Sequence, residues 1–306
     1  MKATTELNRQ CIIDLSSQEA NIRKNAVQTL MNSIAANPEN RITAAQDGAI
    51  RPLTQLLSDN DKEICRYAAT TLMKLAMDPE NKAAIAEAGA GAIAPLVALL
   101  SNHDTVIRRC ATGVLANLAT NSENQITIAQ RGAITPLTKL LSDGDAVVRR
   151  NAAGALANLA VNSENKIAIA QSGAITPLIA LLSGNNTEVH RYVTGTLANL
   201  AFNSENQITI AQAGAIAPLI TLLSNGDTEV RRNAAGVLAN LATNSENKIT
   251  IAQSGAITPL ITLLSDGDTK VRRFAAKALA NLAVNAENKT TIAQSVAIAS
   301  LINLLS

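Results

Sequence analysis

The chain has 306 residues, 47% apolar but only 1% aromatic and without Trp, so Ala and Leu must do the packing. That favours closely set helices over a sheet sandwich. Its 26 basic and 24 acidic residues leave a formal charge of +2, too balanced to announce nucleic acid by itself.

The opening MKATTELNRQ turns polar within a few residues, unlike a signal peptide. The pattern then predicts a helix around Glu6–Leu15 and a long helix around Glu19–Ala35. From here a unit recurs. An Asn in a SEN or PEN triplet falls at Asn40, Asn81, Asn124, Asn165, Asn206, Asn247 and Asn288. The Asn of ANLA falls at Asn117, Asn158, Asn199, Asn240 and Asn281, in steps of 41. Such a period signals a solenoid of two or three helices per unit. The boundaries follow as a partial unit at 1–36, whole units at 37–77, 78–120, 121–161, 162–202, 203–243 and 244–284, and a partial unit at 285–306. Together they read as a single solenoid over 1–306. The first unit lacks its first helix and carries one extra residue near Ser33, and EAGAGAIAPL adds two residues at Gly89–Gly91.

The unit at 203–243 shows the plan. SENQITIAQAG starts with Ser204 as N-cap and Glu205 in the first turn, and stops at Gly214. AIAPLITLLSNG follows, with Pro218 early, where a missing amide hydrogen costs little. A third helix is capped by Asp227 and runs to about Ala242. The chain closes on LINLLS with no third helix, and has Val296 and Ser300 where other units have the turn Gly and the Pro. That predicts a weak end, open to self-association.

Turning about 100° per residue, Ala234, Val237, Leu238 and Leu241 fall on one stripe with Val230. Arg232, Gly236 and Asn240 lie on the opposite, presented side. Each third helix therefore supplies a cation eight residues before the Asn position: Lys24, Arg66, Arg109, Arg150, Arg191, Arg232 and Arg273. The Asn position reads Asn32, Lys74, Asn117, Asn158, Asn199, Asn240 and Asn281. An Asn offers a donor and an acceptor, enough to hold a peptide's N–H and C=O without reading its side chain. Seven before the Asn stand Tyr67, Tyr192 and Phe274, three of the chain's four aromatic residues. They read either as cover for a ligand's apolar side chains or as packing on the neighbouring unit. The helix-interior glycines read as close approach or room for a ligand. Arg108, Arg149, Arg231 and Arg272 lie nearer the core edge and are expected to pair with acids of adjacent units. The SEN/PEN amides are expected to cap backbone within and between units, and His103 and His190 to be exposed.

Gly-Ala-Ile-x-Pro-Leu-x-x-Leu-Leu followed by Leu-x-Asn-Leu-Ala, in phase along nearly the whole chain, resembles the armadillo repeat, and NAAGALANLA is similar to the vacuolar-protein-8 and plant armadillo branch. The resemblance implies an all-α fold, a right-handed α-solenoid whose third helices line a groove for extended peptides, with the Asn row clamping the bound backbone. Nuclear-import relatives have a Trp four residues before this Asn. Here that slot reads Gln28, Thr70, Gly113, Gly154, Gly195, Gly236 and Lys277, which argues against nuclear-localisation signals. The basic row points instead to extended, acidic protein segments, as in the catenin-like branch. Two alternatives stay open: a basic groove for nucleic acid or anionic lipid, and a consensus-like or engineered array without a natural ligand. With no GxSxG, HExxH or Walker-type loop, no enzyme is expected. Nor is a cofactor, a metal or a small-molecule substrate. Cys11, Cys65 and Cys110 form no CxxC pair, and no apolar run approaches the ~20 residues of a membrane span. A reduced compartment follows, cytoplasmic or nuclear.

Overall fold

A computed structural model describes residues 9–87 and 90–294, which fall into two compact units, 1–165 and 166–306. In the first, a helical stretch at 9–14 precedes α1 (Ala20–Ala36), α2 (Glu39–Gln46), α3 (Ile50–Leu56), α4 (Lys62–Leu75), α5 (Pro79–Glu87), α6 (Ala90–Leu99), α7 (Thr105–Leu118), α8 (Ser122–Gln130), α9 (Ile134–Leu140) and α10 (Ala146–Leu159). Helix α11 (Ser163–Gln171) spans the boundary. The second unit holds α12 (Ile175–Ala180), α13 (Thr187–Leu200), α14 (Ser204–Gln212), α15 (Ile216–Leu222), α16 (Thr228–Leu241), α17 (Ser245–Gln253), α18 (Ile257–Thr262), α19 (Thr269–Leu282) and α20 (Ala286–Gln294). No strand occurs among the described residues. Each unit is thus an α-solenoid of three-helix repeats. Gly89, the closing LINLLS, Val296 and Ser300 lie outside the described residues.

The third helices form the spine of each unit. In the first unit α1 packs on α4, α4 on α7 and α7 on α10, and in the second α13 packs on α16 and α16 on α19. The second helices α3, α6, α9, α15 and α18 each lie against the third helix that follows them. The apolar stripe explains this stacking. Val230, Ala234, Val237, Leu238 and Leu241 of α16 are all fully buried. Burying such side chains is worth roughly 1.5–3 kcal/mol each for the larger ones.

Local chemistry sets the corners. The chain turns from first to second helix through Gly214, at φ 85, a left-handed conformation that glycine adopts without a Cβ penalty. Its amide donates to the Ala211 carbonyl at 3.0 Å. The third helix starts as expected, with Asp227 accepting from the Val230 amide at 3.0 Å. The first helix starts one residue earlier than expected. Asn203, in extended backbone, is the N-cap and accepts from the Asn206 amide, while Ser204 is already helical. An Asn carboxamide reaches N3 as well as a Ser hydroxyl does. The same device recurs at Asn121 and Asn244.

Candidate functional site

The most regular amides are structural. Asn81 donates to the Leu75 carbonyl at the end of the third helix just before it, at 3.2 Å, and to the Arg41 carbonyl of the first helix one period back, at 3.1 Å. Asn124 and Asn206 cap the end of the third helix just before them, on Leu118 and Leu200, and Asn165 and Asn247 reach the first helix one period back, on Gln125 and Gln207. The expected capping role holds. These side chains satisfy helix-end carbonyls that burial would otherwise orphan.

The inner row of arginines, nine before the Asn position, is structural too. Arg108 Nε pairs with Asp143 at 2.8 Å, and its Nη1 donates to the Asn102 and His103 carbonyls of its own turn. Arg23 with Asp59 and Arg231 with Asp266 repeat this at 2.8 Å. Arg149 and Arg272 bond the carbonyls of their own turns, at Asp143 and Gly144 and at Asp266 and Gly267, and Arg272 also donates to Thr269 Oγ1 at 3.0 Å; neither meets an acid of an adjacent repeat among the described residues. Burial works to raise the carboxyls of Asp143 and Asp266. The bonds from Arg108 and Arg231 and from the backbone outweigh it, so both sit below the ordinary carboxylate range. His190 occupies the same slot and corrects an expectation. It is buried, not exposed, because its Nε2 lies 2.7 Å from the Gly184 carbonyl, where an arginine would put its guanidinium.

The outer row was read as the presented cations, and here the helix starts intervene. Arg66 pairs with Asp104, the N-cap of the next third helix, and Lys24 with Glu63 just inside the next one. Arg109 binds the N-cap Asp145 through Nε at 2.9 Å, and Arg191 binds the N-cap Asp227 at 3.2 Å. Arg232 pairs within its own helix with Glu229 at 3.2 Å. Arg150 is half-buried on α10, and Arg273 is exposed on α19. The Arg109 hydrogen bond holds Asp145 far below the usual carboxylate range. Asp104 and Asp227 cap a helix with Oδ1 and meet the preceding repeat's cation with Oδ2, whereas Asp145 Oδ1 both caps its helix and accepts from Arg109 Nε. Sequence reasoning took these aspartates only as caps. The signal available was their step, which matches that of the arginines.

The amide row divides. Asn158 donates to the Ala116 carbonyl at 2.9 Å and Asn281 to Ala239 at 2.8 Å, each reaching back to the preceding third helix. Asn240 is buried and accepts from Lys277 Nζ at 3.1 Å. Asn32 is exposed, and Asn117 and Asn199 are half-buried; none of the three has a side-chain hydrogen bond among the described residues. Lys74 breaks the row in α4.

The slot seven before the Asn fits onto the preceding helix's glycine. A Cβ on Gly236 would stand 3.7 Å from the Phe274 ring, one on Gly195 3.5 Å from Asn233, and one on Gly113 3.3 Å from Asn151. Phe274 therefore packs on the neighbouring repeat, and Arg273 covers its ring at 5.3 Å from the centroid. Tyr192 donates its hydroxyl to Glu188 at 2.9 Å, and Tyr67 is half-buried on α4.

Among the described residues, no group of three or more His, Cys, Asp or Glu is placed to hold a metal. The three cysteines are free and buried. No single described helix is long and apolar enough to cross a membrane.

The Armadillo/beta-catenin-like repeat family model matches residues 37–76, 121–161, 162–202, 203–243 and 244–284. U-box domain-containing protein 10 of Arabidopsis thaliana is 37% identical over 83 residues, 27% of this chain and 13% of that protein. A crystal structure of an engineered protein is similar over 98% of this chain and 74% of its own, at 32% identity and a TM-score of 0.85. A designed armadillo repeat protein in complex with peptide (KR)4 is 32% identical, covering 76% of this chain and 99% of its own, at a TM-score of 0.65.

Proposed function

This chain belongs to the armadillo/beta-catenin-like repeat family, and we propose that it is a binding scaffold that holds extended protein segments along its third helices. One observation carries the reading. Asn117 on α7 of the first unit and Asn199 on α13 of the second are each half-buried, with their carboxamides unengaged among the described residues. A peptide amide unit is their natural complement. Helices spaced about 8–10 Å apart would meet two or three residues of an extended chain per rung. The complex of a designed relative with (KR)4 supports an extended peptide as the ligand class.

The finer reading, a preference for acidic segments, rests on the cation row. Five cations of that row meet an acid, three of them an N-cap aspartate, so charge adds little at those rungs, in the range of about 0.2–1 kcal/mol for an exposed pair. The same compensation argues against nucleic acid or anionic lipid, whose binding needs uncompensated charge and falls steeply with salt. A cytoplasmic setting rests on the free thiols.

A peptide-library pull-down by the parent chain and by Asn117→Ala/Asn199→Ala tests the proposal. Loss of captured peptides with circular dichroism unchanged is expected. Equal capture by both proteins would place binding elsewhere.

A further inference from the structure

One turn of the second unit carries an amide where its counterparts carry an acid. Ahead of α4, α10 and α19, Asp59, Asp143 and Asp266 each accept the amide two residues on through Oδ1, at 2.9 Å. Asp59 and Asp143 take the Nε of an inner arginine through Oδ2, at 2.8 Å, and so does Asp266. Ahead of α16 the same place holds Asn225, and the inner slot one repeat earlier holds His190. Asn225 Oδ1 accepts from the Asp227 amide at 2.9 Å, so the turn itself is unchanged. The pairing is not. His190 Nε2 lies 2.7 Å from the Gly184 carbonyl, which can only accept, so Nε2 carries the proton of the neutral ring and Nδ1 is bare. That Nδ1 is buried and has no hydrogen-bond partner among the described residues. The charged groups flanking the pair are matched elsewhere: Arg191 with Asp227, Arg231 with Asp266, and Glu188 with the Tyr192 hydroxyl. Helices α12 and α15 bring no charge.

We propose that Asn225 is a deamidation site, and that its aspartate product supplies the acid this rung lacks by pairing with a protonated His190. The residue after it is Gly226, and Asn-Gly occurs nowhere else in the chain. Gly226 is exposed, and its amide donates no hydrogen bond among the described residues, so the backbone nitrogen is open to attack the side chain. A Cβ at Gly226 would meet nothing within 4 Å, which leaves room for a ring to close. The Asp227 amide, by donating to Oδ1, polarises the carboxamide carbon as an oxyanion-stabilising donor does. Asn225 Nδ2, the leaving group, is held by no hydrogen bond among the described residues. The Gly226 nitrogen bonds to Cγ and gives up its proton, the Cγ–Nδ2 bond breaks, and ammonia leaves a succinimide behind. Water then opens the ring. Attack at Cγ returns the ordinary backbone with aspartate at 225, and attack at the main-chain carbonyl carbon gives isoaspartate. The aspartate form is a turn the chain already makes, as Ser-Asp-Gly-Asp at 142–145 and 265–268. It sets a carboxylate against a bare ring nitrogen, and one proton on Nδ1 satisfies both, as an arginine satisfies the acids of the other turns.

The folded chain, incubated in mildly alkaline buffer, is mapped by peptide mass spectrometry with the aspartate and isoaspartate products separated. Asn225 should deamidate about tenfold faster than Asn102, which holds the same turn but precedes His103. Gly226→Ala should abolish that difference. Asn225→Asp reproduces the product, and because the chain has two histidines, an NMR titration reads each of them. In this variant His190 should titrate about one pH unit or more above its position in the parent, with His103 unmoved. Pairing of that kind stabilises below the raised value and is lost as pH rises through it. The thermal midpoint of Asn225→Asp should therefore exceed the parent's in weakly acidic buffer and lose the excess in alkaline buffer. Adding His190→Gln should erase it throughout. Deamidation of Asn225 no faster than that of Asn102 overturns the modification site. An unmoved His190, an excess that survives His190→Gln, or a product that is isoaspartate alone overturns the pairing. None of these results touches the scaffold reading.

Discussion

At the scale of single residues, amides with similar sequence contexts have different tasks. Asn158 is spent on the Ala116 carbonyl, whereas Asn199 is unengaged among the described residues. Asn158→Ala should therefore cost about 0.5–1.5 kcal/mol of stability. Asn199→Ala should leave the thermal midpoint nearly unchanged and weaken peptide capture. Thermal denaturation beside anisotropy separates the two. Glycine is the second case. Gly236 leaves ordinary contact distance to Phe274, so Gly236→Ala adds a methyl without a clash. Raised helix propensity should then stabilise by up to about 1 kcal/mol. Gly214, at positive φ, is the opposite case, and Gly214→Ala should cost about 1–2 kcal/mol. Chemical denaturation of both variants checks the sign.

Between elements, neighbouring third helices are joined by paired charges. The turn before a third helix carries an acid after three of the inner arginines, Asp59 for Arg23, Asp143 for Arg108 and Asp266 for Arg231, whereas Gly184 stands there after Arg149. Asn102 and Asn225 stand there after Cys65 and His190, which bring no guanidinium. Because the Asp143 and Asp266 carboxylates are held below the ordinary range, near 3.9 for Asp, they stabilise the fold above that pH. The contribution is lost as pH falls through their lowered folded values. The thermal midpoint should accordingly drop as the solution is acidified from pH 5 toward 3. Asp143→Asn with Asp266→Asn should start lower, by roughly 1–3 kcal/mol per site, and should flatten that acid limb. Differential scanning calorimetry across the pH series reads both effects. A steep limb in the double variant would assign acid sensitivity to other carboxylates.

Across the whole molecule, stability is a sum of repeats and the interfaces between neighbours. Deleting residues 203–243, one full period, leaves each remaining third helix its cap and brings His190 before a turn carrying Asp266. The shortened chain should keep the parent's helicity per residue by circular dichroism and unfold at a modestly lower temperature. Collapse of helicity would mean that the repeats are not interchangeable. The sequence alone determined the period, the three helices of each repeat and the buried stripe of Val230, Ala234, Val237, Leu238 and Leu241. Those follow from periodicity and capping chemistry within about forty residues, where side-chain pattern and backbone geometry are locally linked. It also identified the SEN/PEN amides as caps, because a helix end leaves predictable orphan groups. The presented face was legible only as a direction. Whether Arg109 is free or held by Asp145 and whether Asn240 is open or covered by Lys277 depend on what the next repeat brings within about 3 Å. Those partners lie some forty residues away in the chain, and only the stacking of one repeat on the next sets their distance.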